Sequence, residues 1–313
     1  MQKKYKVIFM GTPTIASCCL DAILKLSGIE VIAVVCQEDK PVGRKHIINF
    51  CPVKKTAISH NIKVLQAAKI DNLYEQIKEL NPDLIMTCAF GQFIPNNILT
   101  LPKYKCINLH ASLLPKYRGG APIHHTILNN EKITGWSLMY MNNKMDAGDV
   151  IAQSQIKINP NETYKSLYQK LCLAIQPMIN KHFLTLFNDK VQATKQNEHE
   201  ATYAPNITHE NEKINWNNLS ANIDAKIRAF YDKPIAYCIL EKQIVKIHQA
   251  TITNIKSTKM PGTIENVNKN IIFVATQDNC IGLKTIQVAG KKPMDVAQIV
   301  NGNHPFKIGK VLA

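Results

Sequence analysis

Three side chains of this 313-residue sequence could together move an acyl group onto an amine: Asn108, His110 and Asp146. Asn108 and His110 lie two apart at the end of a short apolar run, so in a strand both project to one face. A side-chain amide and a protonated imidazole on one face can donate to an oxyanion, the charge that develops when an amine attacks an acyl carbon. An imidazole ordinarily titrates near ~6.5, so at neutral pH it needs a carboxylate beside it to stay charged. Asp146, in the turn Met145-Asp-Ala-Gly-Asp149, is the candidate, and it could also hold the imidazole or a water that takes the amine's proton. No serine or cysteine nucleophile is required. Each part alone has a plainer reading: a hydrogen-bonded strand-end histidine, or a turn whose aspartates cap backbone amides. Their combination with the loop Ser112-Leu-Leu-Pro115, which follows at once, points to a site.

The elements that must hold these groups read as alternating strands and helices. Lys6–Met10, Glu30–Cys36, Asp83–Cys88 and Cys106–Leu109 are short, nearly continuous apolar runs, the pattern of strands buried on both faces of a parallel sheet. Helical patterns lie between them at Ile15–Leu26, Cys51–His60 and Asp71–Leu80, the last stopped by Asn81-Pro82. This predicts a doubly wound α/β domain, with sites at the C-terminal strand ends. Trp136–Met141 and Asp149–Ile158 read as a closing strand pair. A long helix is expected over 163–187, with Pro177 kinking or interrupting it. The polar stretch 190–208 reads as a linker between a domain over 1–189 and one over 209–313. In the latter, Leu219, Ile223, Ile227 and Phe230 mark one amphipathic helix. Alternating segments at Ile244–Ala250, Ile271–Thr276 and Ile281–Val288 then predict a small β-barrel.

Several function classes are disfavoured. Gly11-Thr-Pro-Thr-Ile-Ala16 lacks the middle glycine of a dinucleotide fingerprint, and Pro13 removes an amide there, so a tight turn into a helix is the better reading. Nine cysteines without a Cys-x-x-Cys pair read as reduced, mostly buried thiols, and no metal site is expected. His124-His125 at a helix start point about 100° apart, which does not make a metal pair. The apolar runs are too short to span a bilayer, for which ~20 residues are needed, and a cytoplasmic location is expected. The net charge is +15. Residues 1–208 carry 24 Lys and Arg against 15 Asp and Glu, and residues 209–313 carry 14 against 8, so no basic domain stands out. A polyanionic partner and a general lysine bias both fit that balance.

Residues along the whole chain resemble the bacterial methionyl-tRNA formyltransferases, within the formyl-tetrahydrofolate-dependent formyltransferase family. The matching residues are Phe9-Met-Gly-Thr-Pro13, Gln37–Arg44, Cys51-Pro-Val-Lys54, Ile107–Ile123, Met145–Val150, Ile214-Asn-Trp216, Ile227-Arg-Ala-Phe230 and Val288-Ala-Gly-Lys-Lys292. The resemblance implies a Rossmann-like formyltransferase domain followed by a small OB-like β-barrel. It implies 10-formyltetrahydrofolate as donor and methionyl initiator tRNA as acceptor. By position, Asn108, His110 and Asp146 match the catalytic trio. Ser112, Leu113, Leu114 and Pro115 match a folate-contacting loop. Arg44 and Lys45 belong to a loop approaching the tRNA acceptor stem, and Lys291 and Lys292 are further candidates for tRNA contact. The chain departs from the family's pattern at Lys45–Phe50, which is less basic than is common, at Tyr231-Asp-Lys-Pro234, and at Lys116-Tyr117, where Arg-Trp is frequent. None of these touches the trio. No metal and no membrane are expected, and the protein is expected to be a monomer. The rival readings are an amino-sugar nucleotide formyltransferase, a glycinamide ribonucleotide formylase, which would lack the barrel, and a nucleic-acid-binding protein with an inactive α/β domain.

Overall fold

The structure, a computed structural model, describes residues 4–42, 47–188 and 191–313. It divides into two compact units, one of residues 1–122, 133–157 and 168–205, the other of residues 123–132, 158–167 and 206–313. The second unit thus takes in two segments that lie well before its main stretch in the sequence.

The first unit is built on β1 (Tyr5–Gly11), α1 (Thr14–Leu24), β2 (Ile29–Cys36), a short hairpin β3 (Pro41–Val42) and β4 (Ile47–Ile48), α2 (Pro52–Ser59), β5 (Lys63–Gln66), α3 (Tyr74–Leu80), β6 (Leu84–Cys88), α4 (Asn96–Leu99) and β7 (Cys106–His110). Past α5 (Pro122–Leu128) come β8 (Ile133–Tyr140), β9 (Val150–Lys157) and α6 (Tyr164–His182). One seven-stranded sheet runs β5-β2-β1-β6-β7-β8-β9. Its first five strands are parallel, and β8 and β9 continue it antiparallel. The order reverses beside β1, the switch point of a doubly wound sheet. Val7, Ile8, Phe9 and Met10 in β1 are all wholly buried, because helices cover both faces. Gly11 is required where β1 ends: a Cβ there would stand 2.6 Å from Ala16 Cβ and 2.7 Å from Cys88 O. The Gly11-Thr-Pro turn thus serves close strand–helix packing, as the sequence suggested.

Several elements differ from expectation. β5, the short hairpin and α4 carry too few apolar residues to stand out, and the pairing of β5 with β2 decides its state. Pro177 does not break α6, which runs unbroken to His182. Leu171, Ile175, Met178 and Ile179 are buried along that helix, and this packing outweighs one lost backbone hydrogen bond. The polar stretch read as a linker is instead held to the first unit. Thr194 pairs with Val150, Arg118 bridges to Tyr203, and Ala204 N donates to Arg118 O at 2.7 Å. The nine cysteines are free thiols, and burial pushes those of Cys106 and Cys238 up to about 12.

The second unit contains α7 (His209–Glu212), α8 (Ser220–Ala229), β10 (Tyr237–Leu240), β11 (Gln243–Lys256), β12 (Ile264–Val267), β13 (Ile272–Ala275), β14 (Asn279–Val288), β15 (Met294–Asp295) and α9 (Val296–Val300). The sheet order is β10-β11-β14-β13-β12, all antiparallel, with β15 alongside β14. The last residues join its two edges. Ile264 of β12 exchanges hydrogen bonds with Gly309 and Lys310, and Ile239 of β10 exchanges a pair with Ala313, each at 2.8 Å. That closure removes the free edges and makes the sheet a barrel. Arg228 of α8 gathers the two earlier segments, donating to Glu162 O and Asn130 Oδ1 at 3.1 Å each. His124 stacks on Tyr164 at 4.1 Å, and burial brings its imidazole down to about 4, so it is neutral at pH 7. Among the described residues no helix is long and apolar enough to cross a membrane.

Asp278 anchors the start of α8. Its carboxylate accepts from Ser220 N at 2.8 Å, Ser220 Oγ at 3.2 Å and Thr276 Oγ1 at 2.9 Å. Burial alone would raise its pKa, but these bonds and one from the Asn279 backbone outweigh it and bring the group down to about 2. A depressed carboxylate stabilises the fold above its unfolded value, near ~3.9, and loses that contribution as pH falls through the folded value. Asp278→Ala should therefore lower the unfolding midpoint at pH 7. The gap from the parent should close as pH is lowered toward 2. A gap that persists at the lowest pH would contradict this account.

Candidate active site

The site forms at the C-terminal end of β7, where β7 passes between parallel β6 and antiparallel β8. Register sets Asn108 opposite Thr87, and His110 opposite Ser137. Thr87 Oγ1 donates to Asn108 Oδ1 at 2.8 Å, which fixes the amide so that its NH2 faces the other way. One N–H of that NH2 reaches Asp146 Oδ1 at 3.2 Å.

His110 is 6% exposed. Its Nε2 lies 2.8 Å from Tyr117 O, and a carbonyl oxygen carries no proton, so Nε2 must be the N–H donor. The Nδ1 atom faces Asp146 Oδ2 at 3.6 Å. Nδ1 is therefore the ring nitrogen that is turned toward the carboxylate. Asp146 Oδ2 also accepts the Gly119 N–H at 2.9 Å. One carboxylate thus meets the amide, the imidazole and a loop N–H together.

Asp146 has φ +49°, a left-handed conformation that Asp and Asn tolerate better than most residues. Gly148 makes the same turn possible, because any Cβ there would collide with Tyr140 O. The loop after β7 is held from below by Ser137, whose hydroxyl donates to Ser112 O at 2.7 Å and accepts from Leu114 N at 3.0 Å. Gln153 Nε2 then supports both Leu114 O and Ser137 Oγ at 2.8 Å. Ser112 is wholly buried and gives its hydroxyl to Lys116 O at 2.6 Å, and Leu114 is 5% exposed. Within Ser112–Pro115, only Leu113 and Pro115 keep partly exposed side chains.

The structure therefore brings Asn108, His110, Asp146 and the Ser112–Pro115 loop together. Lys291 and Lys292 are exposed in the turn between β14 and β15 of the second unit. Arg44 and Lys45 fall outside the described residues. Sequence reasoning passed over Thr87, Ser137, Gln153, Arg118 and Gln196, which orient the site from behind. Only Thr87 and Ser137 left a trace, as polar residues inside apolar strands.

A doubly wound sheet with an amide, an imidazole and a carboxylate gathered at a strand end is an arrangement suited to acyl transfer, and the comparisons with known families give the class. Residues 3–181 match the formyl transferase family model, and residues 206–304 match that of the formyl transferase C-terminal domain. The chain belongs to the formyl transferase family. Among similar proteins, a methionyl-tRNA formyltransferase of Malacoplasma penetrans is 44% identical over 99% of this chain and 97% of its own. One of Staphylococcus aureus is 40% identical over 98% and 99%. Among solved structures, an N-formyltransferase of Helicobacter canadensis, in complex with folinic acid and dTDP-3-aminofucose, superposes with a TM-score of 0.68. It is 25% identical and covers 92% of this chain and all of its own.

Proposed function

We propose that this protein transfers the formyl group of 10-formyltetrahydrofolate to the α-amine of methionyl initiator tRNA, in the cytoplasm. Family membership supports formyl transfer, and the end-to-end likeness to proteins of that name at 40–44% identity supports the acceptor. The observation that carries the chemistry is the single Asp146 carboxylate set against both Asn108 Nδ2 and His110 Nδ1.

The amine attacks the formyl carbon and a tetrahedral oxyanion forms. A second N–H of Asn108 and a proton on His110 Nδ1 donate to it, a contribution of about 3–4 kcal/mol per donor in other acyl-transfer enzymes. The attacking nitrogen must lose a proton and the departing folate nitrogen must gain one. Asp146 takes the first, directly or through a water, and His110 Nδ1 supplies the second. Transfer between Asp146 Oδ2 and Nδ1 then restores both groups. One carbon–nitrogen bond forms, one breaks, and one proton crosses, so no covalent enzyme intermediate is needed. Leu113 and Pro115, the partly exposed members of the loop, would touch the folate.

An amino-sugar nucleotide acceptor is the second reading, favoured by the Helicobacter canadensis likeness but at much lower identity. Incubation with 10-formyltetrahydrofolate and either charged initiator tRNA or a dTDP-amino sugar separates the two. Formylation of the tRNA alone is expected, and formylation of the sugar alone would overturn the assignment.

Arg44, Lys45, Lys291 and Lys292 are proposed to contact tRNA phosphates. Each real contact adds to the salt dependence of binding, so Lys291→Ala and Lys292→Ala should each lower the log–log salt slope by about 1. An unchanged slope in both would remove these lysines from the interface and favour a general lysine bias.

A further inference from the structure

We propose that Gln196 is a positioning residue for this reaction: it ties the turn carrying Asp146 to the loop carrying Tyr117 and Gly119, and thereby sets the Asp146 carboxylate against His110. The inference rests on the reading of Asp146 given above. Gln196 lies in the polar stretch that resembled a linker, yet it is 7% exposed. Its Nε2 donates to Asp146 O at 2.9 Å and to Gly148 O at 2.7 Å. Its Oε1 accepts from Arg118 Nε at 3.1 Å and Arg118 Nη2 at 2.9 Å. Both N–H groups and both lone pairs of the amide are used. The flipped amide would set NH2 against guanidinium donors and oxygen against two carbonyls, so one orientation is imposed.

Arg118 is itself held. It is 2% exposed, and its outer edge makes two bonds to Glu198, at 2.9 Å and 2.8 Å. Its backbone accepts from Ala204 N and donates to Thr202 O, while Tyr117 N donates to Thr202 Oγ1. The loop thus anchored supplies the two contacts that fix the reacting pair: Tyr117 O on His110 Nε2, and Gly119 N–H on Asp146 Oδ2. The opposing turn has a left-handed residue at Asp146 and no side chain at Gly148 to pack it. Gln196 links the turn's backbone to Arg118 of the loop, beside the direct bond from Gly119 N to the Asp146 carboxylate. Without its donors two carbonyl oxygens of the turn lose these bonds, and the backbone that carries the carboxylate can shift against the Asn108 and Gly119 contacts. A misplacement of about 1 Å can cost roughly 10²-fold in rate.

Two variants test this. Gln196→Leu removes the amide, and Gln196→Glu keeps its length and its acceptor for Arg118 but has no donor for the turn. Both should fold, as judged by circular dichroism and unfolding midpoint. Both should lower kcat by roughly 10–100-fold, the scale at which outer partners act on site residues, with KM for each substrate within about threefold. In an Asp146→Asn background the same changes should cost less than about threefold, because no charged carboxylate is left to place. A kcat near the parent's, a change in KM alone, or the same fold-loss in both backgrounds would overturn the inference. Near-normal turnover of Asp146→Asn by itself would instead overturn the reading of Asp146, so the two failures are distinguishable.

Discussion

Asp146→Asn should lower kcat by about 10³–10⁴-fold while leaving KM for both substrates nearly unchanged. Asparagine keeps the size of the side chain and tolerates the left-handed backbone at this position. What it loses is charge and symmetric acceptance. Oδ1 and Oδ2 now accept from Asn108 Nδ2 and Gly119 N, with His110 Nδ1 3.6 Å from Oδ2. An amide can present only one oxygen, so its NH2 must face a donor. It also cannot take the amine's proton. An Asp→Asn change beside a catalytic histidine in a serine-protease triad costs roughly 10⁴-fold, which sets the scale. Single-turnover rates with circular dichroism on the same samples would check it. Turnover within about tenfold of the parent in a folded variant would remove Asp146 from the chemistry.

The second large effect is expected at His110. His110→Ala should lower kcat by about 10²–10⁴-fold, since it removes both a proton donor and an oxyanion partner. Because Nε2 is committed to Tyr117 O, the variant also frees that carbonyl, and a modest fall in unfolding midpoint should accompany the loss of rate. The two consequences can be separated with added imidazole. It can occupy the space left by the ring and should restore part of the rate without restoring the midpoint. A rate that falls only in proportion to the loss of folded protein would mean that His110 is structural.

Much of the α/β unit was legible because its central strands are buried on both faces, and such strands read as unbroken apolar runs. Cys106–Leu109 is the clearest case, and it led directly to Asn108 and His110 at its end. The barrel was legible as alternating segments, but its closure was not: the joining of Ile239 and Ile264 to residues 309–313 is a long-range pairing with no local signature. β5 and α4 were missed for the same reason, being too short for periodicity to speak.

The site divides along a similar line. Residue types and their spacing were enough to pick out Asn108, His110 and Asp146, since two-residue spacing in a strand dictates a shared face and turn chemistry marks the aspartate. Which ring nitrogen of His110 faces Asp146, which way the Asn108 amide points, and how the Asp146 turn is held were decided only by tertiary structure. Tyr117 O, Thr87 Oγ1, and Gln196 with Arg118 settle these points. Gln196 lies 50 residues from Asp146 along the chain, in a stretch whose composition suggested no structure at all. A hydrogen bond depends on position and direction in space, and composition records neither. The residue types of the proposed site were therefore written in local sequence, and their orientation in contacts between segments far apart in it.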